Sequence, residues 1–395
     1  MKFCHYQECL SPHMMPLMRA MVARLGEDEV CYVYTQDLEA ERQALGWADA
    51  AKPRWALDAR QQPEEACKWL ERCPCLMSGC RDFDLFERRA GRRLATFYSG
   101  ERWFKPLSVF RGRISLPGWL RLLSPRYFHM AYRMRRLLCG KNSFYYLPDG
   151  IWAARDMIRI MNFLKGNFLP LDVMVLRIPG SVLQNHGKVI DKIRLWGYFA
   201  EPSSVEKTCV QSKAGTEPLK VLWVGRLLEL KRVDVLLRAI RAHHLKKIGT
   251  PDMILNVYGD GPAGMALKKM ATGCGEVVRF HHSVVMGEVR NLMQEHDVYV
   301  FTSNAYEGWG MVVSEALEAG MHVLGTYEAG SSATMLNDDD LFHAGDWKRL
   351  QFLLERCLDE KRQGTLKGQG IGEWSAEKAA DRLMALMDEV RNCKL

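Results

Sequence analysis

Along the second half of the chain, apolar runs recur at regular intervals. Each ends in a short polar loop containing glycine, and most are followed by apolar positions at helical spacing. Lys220-Val-Leu-Trp-Val224 reads as a strand, Gly225 to Lys231 as a loop, and Val233, Leu236, Leu237 and Ile240 mark a helix at i, i+3, i+4 and i+7. Met253-Ile-Leu-Asn-Val-Tyr258 is the next strand and runs into Gly259-Asp-Gly-Pro262, a turn from which a helix starts with Pro262 near its first position. Val277 to Phe280 and Asp297 to Phe301 follow as strands, with a helix from Gly287 to His296 between them. The helix after Phe301 is expected to close at Gly320 with a left-handed cap, and His322 to Gly325 is a further strand. Strands alternating with helices predict an α/β fold with parallel sheets, whose ligands bind outside the carboxyl ends of the strands.

The first half is of similar character but less regular. Its expected strands are Lys2 to Tyr6, Glu29 to Thr35, Cys73 to Ser78, Leu94 to Ser99, Phe144 to Leu147, Asp172 to Ile178 and Lys192 to Trp196. Between Glu201 and Pro218 the chain is polar without periodicity, as a linker would be. These patterns divide the chain into an N-terminal domain over 1–200, a linker over 201–218, a C-terminal domain over 219–372 and a terminal segment over 373–395. That last segment is helical from Trp374 to Met387, with Ser375 as its N-cap.

Length supports this division, since 395 residues exceed the size at which single cores stop growing. The sequence contains no apolar stretch long enough to span a bilayer, and Met1-Lys-Phe-Cys-His-Tyr6 lacks the apolar core of a signal peptide, so a cytoplasmic protein is expected. Twelve scattered cysteines fit free thiols in a reducing compartment. The dense group Cys67, Cys73, Cys75 and Cys80 lacks paired C-x2-C spacing and is read as free thiols rather than a metal site. The net charge of +8 is concentrated: Arg81 to Lys141 holds fifteen Lys or Arg against four acids, interleaved with Trp103, Phe104, Phe110, Trp119, Tyr127, Phe128 and Tyr132. Such a surface suits an anionic membrane face or an acidic substrate, whereas nucleic acid is not expected because no recognised binding module accompanies it.

The candidate chemistry lies in the loops after the strands of the second half. In Tyr306-Glu-Gly-Trp-Gly-Met-Val-Val-Ser-Glu-Ala-Leu317, Glu307 sits in a loop and Glu315 about a turn into a helix, on a face shared with Val312, Ala316 and Ala319. A carboxylate among small apolar groups needs a partner, because its desolvation is otherwise costly. Gly308 and Gly310 leave backbone N–H groups at the helix start open to a phosphate or a sugar hydroxyl. Arg226 and Lys231 follow the first strand of this half and suit the growing charge of a diphosphate leaving group.

The succession Val224-Gly-Arg…Lys231, Tyr258-Gly-Asp-Gly-Pro262 and Glu307-Gly-Trp-Gly310…Glu315-Ala-Leu317…Gly320 resembles the GT-B glycosyltransferases of family 4, retaining enzymes that use nucleotide-diphosphate sugars. The resemblance covers about residues 219 to 345 and is most specific at the two glutamates eight positions apart. It implies two Rossmann-like domains facing each other across a cleft, with the donor held by the C-terminal one. By that resemblance Arg226 and Lys231 bind the donor diphosphate, Glu315 the ribose hydroxyls and Glu307 the transferred sugar, so that catalysis rests on Glu307, Arg226 and Lys231. The backbone of Gly308, Trp309, Gly310 and Met311 cradles sugar and phosphate, Gly225 and Gly259 shape the pocket, and Phe280 and His281 lie where the base is contacted. No metal is required, and the Asp82-Phe-Asp84 and Asp338-Asp-Asp340 runs are read as ordinary loop aspartates.

The N-terminal half departs from the family's pattern. Gln7 to Pro16 replaces the usual glycine-rich loop after the first strand. Tyr145-Tyr-Leu-Pro-Asp-Gly150 also lacks the histidine often found beside the donor sugar, leaving Asp149 or His13 as stand-ins, each more readily read as structural. The expected activity is sugar transfer, with retention, from a nucleotide sugar to a hydroxyl of a glycan or lipid-linked glycan. The acceptor would be presented at the inner membrane face, which the chain would meet peripherally through residues 81–141. A nucleotide-sugar epimerase of the same architecture and a non-catalytic nucleotide-sugar-binding protein are the alternatives.

Overall fold

The computed structural model describes residues 1–40, 43, 52–103, 109–110, 113–114, 124–164, 192–200, 217–246 and 250–392. The expected strand Asp172 to Ile178 and most of the expected linker lie outside the described residues, as do Phe104 and Trp119. The chain forms two compact units, one drawn from residues 1–40, 48–199 and 376–395 and the other chiefly from 200–375.

In the first unit the order is β1 (Phe3–Cys9), α1 (Met15–Leu25), β2 (Val30–Gln36), β3 (Ala56–Asp58), α2 (Pro63–Arg72), β4 (Cys75–Ser78), α3 (Phe83–Gly91) and β5 (Ala95–Gly100). A two-residue pair, β6 (Val109–Phe110) and β7 (Arg113–Ile114), follows, then α4 (Pro125–Cys139), β8 (Phe144–Pro148) and α5 (Ile151–Phe163). Six strands make one parallel sheet in the order β3-β2-β1-β4-β5-β8. β4 and β8 are buried along their whole length, as expected of strands covered on both faces.

Lys192 to Trp196 does not extend this ladder. Ile193 and Trp196 make isolated parallel bridges to Tyr146 and Asp149, and the N–H groups of Arg194 and Trp196 donate to the Tyr146 and Pro148 carbonyls at 3.0 and 2.9 Å.

The second unit runs β9 (Leu219–Val224), α6 (Val233–His244), β10 (Met253–Tyr258), α7 (Gly264–Met270), β11 (Val278–His281), α8 (Met286–Gln294), β12 (Val298–Phe301), α9 (Met311–Glu318), β13 (His322–Thr326), α10 (Gly330–Met335), β14 (Leu341–Phe342) and α11 (Trp347–Gln363). Its sheet is parallel in the order β11-β10-β9-β12-β13-β14. The apolar stripe of α6 packs with α11 over the sheet, where Leu236, Leu237, Leu255, Val300 and Leu353 are fully or almost fully buried. Removing one such side chain to Ala costs about 2–5 kcal/mol through lost burial and the cavity left behind. α7 begins at Gly264, two residues beyond Pro262, which stays in the turn. Gly320 closes α9 with φ of 78°, the left-handed conformation that favours glycine.

The last helix, α12 (Ala376–Asn392), belongs to the first unit. It lies on α1, where Arg24 donates through Nε to Asp381 at 2.8 Å and through Nη2 to the Glu377 carbonyl at 2.8 Å.

Candidate functional site

In the second sheet the chain leaves β9 toward β10 on one side and later returns to place β12 on the other. A crevice at the carboxyl ends is expected at such a reversal, between β9 and β12. The loops flanking it, 225–232 and 302–310, are tied together. Asn304 N–H donates to the Leu230 carbonyl at 2.9 Å, Thr302 Oγ1 donates to the Lys231 carbonyl at 2.5 Å, and Trp223 Nε1 donates to Thr302 at 3.2 Å.

Lys231 Nζ and Glu307 Oε2 meet across this reversal at 2.5 Å, with side-chain exposures of 20% and 17%. The Lys231 ammonium also stands 5.8 Å from the centre of the Phe301 ring. Asn304 sets the turn that aims Glu307, since its Oδ1 accepts from Tyr306 N–H and its carbonyl accepts from Glu307 N–H, both at 3.0 Å. Arg226 is on the same loop as Lys231 but is exposed, and it has no ion-pair partner among the described residues.

Glu315 lies on α9, partly covered. Burial pushes its carboxyl up to about 7, and Arg290 on α8 opposes that rise. Tyr299 on β12 is fully buried, and its phenol is raised by burial and by the charges of both Glu315 and Glu307. Met311 and Val312 open α9, and their N–H groups have no partner within the helix.

The glycines explain why the backbone comes this close. A Cβ on Gly310 would lie 2.3 Å from the Phe301 ring, and the residue has φ of 92°. A Cβ on Gly259 would lie 1.9 Å from the Gly225 carbonyl oxygen, so the Gly259-Asp-Gly-Pro turn rests backbone to backbone on the loop carrying Arg226. Gly330 likewise leaves room for the Gly308 carbonyl, against which a Cβ would sit at 2.4 Å. Trp309 turns its side chain inward, 2% exposed and tilted against Trp374, so only its backbone faces the loop. Phe280 is half-buried on β11 against the core cluster, and His281 ends that strand with its ring stacked on Tyr258 at 4.2 Å.

Among the predicted residues, then, Lys231 and Glu307 are in contact, Glu315 lies on the helix that follows the Glu307 loop, and the glycines hold the loops. Phe280 and His281 stand two strands away at the β11 edge. Sequence reasoning did not single out Asn304 or Arg290. Asn304, two residues before Tyr306, carries an Asx-turn signal; nothing local distinguishes Arg290.

In the first unit, Asp149 follows β8 and is 1% exposed; it accepts from Ser99 Oγ at 2.8 Å. Burial, then the charge of Glu101, pushes it up to about 8. His13 faces the Tyr198 ring at 6.3 Å. A hollow of about 460 Å³ opens at the carboxyl ends of β1, β2 and β4, lined by Tyr6, Glu8, Thr35, Arg81, Asp82 and Phe83, among others. Asp82 caps α3 and Asp84 pairs with Arg133, while Asp340 pairs with Arg356. No group of three potential metal ligands occurs among the described residues, and Cys67, Cys73, Cys75 and Cys80 are free thiols.

Residues 205–367 match the family Glycosyl transferases group 1. Over 127 residues the chain is 22% identical to the GtfA subunit of a UDP-N-acetylglucosamine–peptide N-acetylglucosaminyltransferase from Streptococcus pneumoniae, a match covering 32% of this chain and 24% of that relative. The chain thus spans about a quarter of the length of the curated relative it matches. Among solved structures, HepE of Anabaena in complex with UDP superposes with a TM-score of 0.57 at 14% identity, covering 100% of this chain and 99% of HepE. The lipopolysaccharide outer core galactosyltransferase WaaB superposes with a TM-score of 0.60 at 12% identity, covering 98% and 99%. Residues 205–367 therefore match the group 1 glycosyl transferases, in a chain whose fold of two parallel α/β sheets is similar to that of HepE and WaaB.

Proposed function

We propose that the protein transfers a sugar from a nucleotide-diphosphate sugar to a hydroxyl of a glycan or lipid-linked glycan, with retention of anomeric configuration. The observation that carries this reading is the Lys231–Glu307 pair at the reversal between β9 and β12. A donor diphosphate entering there draws Lys231 toward phosphate and frees Glu307 to accept hydrogen bonds from the sugar. Arg226 adds its charge from the same loop, and the N-terminus of α9 supplies open N–H groups to the diphosphate. Glu315, once ionised, accepts the ribose hydroxyls.

Charge developing on the leaving diphosphate is stabilised by Lys231 and Arg226, which makes their contribution largest in the transition state. For retention by front-face attack, the departing diphosphate takes the acceptor's proton as the acceptor oxygen bonds to the anomeric carbon, and no protein nucleophile is needed. The names of the relatives favour a uridine diphosphate donor, since HepE is described with UDP and the streptococcal relative as using UDP-N-acetylglucosamine.

The acceptor end of the reading rests on the first unit. Its hollow sets the carboxylates of Glu8 and Asp82 and the guanidinium of Arg81 beside the rings of Tyr6 and Phe83, a mixture suited to a polyhydroxylated ring. α4 has no acid, and it exposes Phe128 (46%) and Tyr132 (48%) along with Arg126 and Arg136. That face supports contact with an anionic membrane presenting the acceptor. No helix among the described residues is long and apolar enough to cross a membrane.

Glu307→Gln tests the assignment. Turnover of a UDP-hexose should fall by roughly 100-fold or more while UDP affinity stays within a few-fold of wild type, the pattern for an interaction made mainly in the transition state. Unchanged turnover would remove Glu307 from the mechanism. An acceptor-independent change in the sugar's configuration would instead identify an epimerase.

A further inference from the structure

Three polar side chains on β10, β11 and beside α8 form a chain of hydrogen bonds whose direction can be read from one end. His296 Nδ1 lies 2.6 Å from the Leu292 carbonyl oxygen. A carbonyl can only accept, so Nδ1 carries the proton, and in the neutral ring Nε2 is an acceptor. Its partner at 3.0 Å is the Asn256 amide nitrogen, which donates. The amide oxygen of Asn256 then faces His281 Nε2 at 2.9 Å and requires the proton there.

His281 Nδ1 is left as an acceptor. It has no partner among the described residues and is not among the enclosed polar atoms, so it is open to solvent. Burial lowers the pKa of both rings, and Arg279 adds to the effect at His281, which keeps the relay neutral. The Tyr258 ring, 12° from parallel, fixes the plane of His281 at the carboxyl end of the sheet.

A rigid acceptor at the outer edge of a nucleotide-binding sheet has an obvious complement in a nucleobase. Uracil, thymine and guanine carry a ring N–H on their pairing edge; cytosine and adenine carry a ring nitrogen that accepts. We propose that His281 Nδ1 reads the donor's base by accepting a hydrogen bond from a ring N–H, and that Asn256 and His296 are positioning residues that hold the acceptor tautomer. This rests on the nucleotide-sugar reading above and adds to it the group that discriminates between bases.

The test is calorimetric titration of the full chain with UDP and with CDP at pH 7.5, for wild type, His281→Phe and Asn256→Leu. Phe keeps a ring against Tyr258 and removes the Nδ1 acceptor together with the Nε2–H bond to Asn256, whereas Asn256→Leu removes that bond and leaves the imidazole in place. Wild type should bind UDP at least tenfold more tightly than CDP, and His281→Phe should lose roughly tenfold for UDP with little change for CDP. In nitrogen-15 spectra of the wild-type chain His281 should be the Nε2–H tautomer, and Asn256→Leu should convert it to a mixture while narrowing the UDP preference. An unchanged UDP-to-CDP ratio in His281→Phe, or a proton on Nδ1 in wild type, overturns the proposal even if UDP binds. Failure of wild type to bind either nucleotide overturns the donor reading as well.

Discussion

Glu315 should make the unliganded protein less stable as pH rises while making it bind nucleotide better, and Glu315→Gln separates the two effects. Its carboxyl is raised from an ordinary 4.5 to about 7, first by burial and against the pull of Arg290. A folded-state value above the unfolded one means that the native protein holds a proton the unfolded chain has released. The contribution to stability is complete below about pH 4.5 and is lost as pH rises through about 7. A rise of this size corresponds to roughly 3 kcal/mol at most, an upper bound because the side chain is only partly covered.

Gln is neutral at every pH, so Glu315→Gln should match wild type near pH 4.5 and unfold at higher denaturant concentration near pH 8.5. UDP affinity should behave in the opposite sense. In wild type it should rise with pH through about 7 as the carboxylate forms, with net proton release on binding below that pH. In Glu315→Gln it should be weaker and nearly flat. Urea titrations at the two pH values and calorimetry in buffers of different ionisation enthalpy give both readouts. A variant destabilised at pH 8.5, or a UDP affinity profile identical in the two proteins, would refute the reasoning.

Other consequences can be checked separately. Gly310→Ala puts a Cβ 2.3 Å from the Phe301 ring at a φ of 92°, and should cost about 1–3 kcal/mol in denaturant titrations and abolish turnover. Lys231→Met strands Glu307 and removes a charge facing the diphosphate; UDP-hexose turnover should fall at least tenfold in steady-state assays. Asp149, raised to about 8, contributes stability that is complete below its ordinary 3.8 and is lost as pH rises through 8; Asp149→Asn should therefore be close to wild type near pH 4 and increasingly more stable than it from pH 6 to pH 9.5 in thermal melts. Co-sedimentation with phosphatidylserine vesicles should exceed that with phosphatidylcholine, weaken in salt, and fall in an Arg126→Glu, Arg136→Glu double variant.

The second unit was legible because parallel strands covered on both faces are nearly unbroken apolar runs, and Gly225, Gly259 and Gly310 mark where each loop needs room for backbone. Strand ends were placed within a residue or so from β9 to β13, whereas β3 and β14, with three and two residues, are too short to leave a pattern. Glu307 and Lys231 were each visible in their loops. Their contact was not, since it depends on β12 returning to the far side of β9 across 76 residues of sequence. The Asn256 relay was hidden for a related reason: a lone polar residue in a strand shows neither its partners on a neighbouring strand nor the proton order they impose. Lys192 to Trp196 has the composition of a strand and, among the described residues, meets the β8 edge through isolated bridges at Ile193 and Trp196 rather than a continuous ladder.

The central claim is that the crevice between β9 and β12 holds the nucleotide diphosphate of a sugar donor. Thermal unfolding of the intact chain with ADP, GDP, UDP and TDP, each raised to millimolar concentration, tests it most directly. At about 100 times its dissociation constant, a ligand of the folded state adds roughly 2.7 kcal/mol, enough for a shift of a few degrees in the unfolding midpoint. The account predicts such a shift with UDP, reduced in Lys231→Met. Midpoints that none of the four nucleotides moves would contradict it.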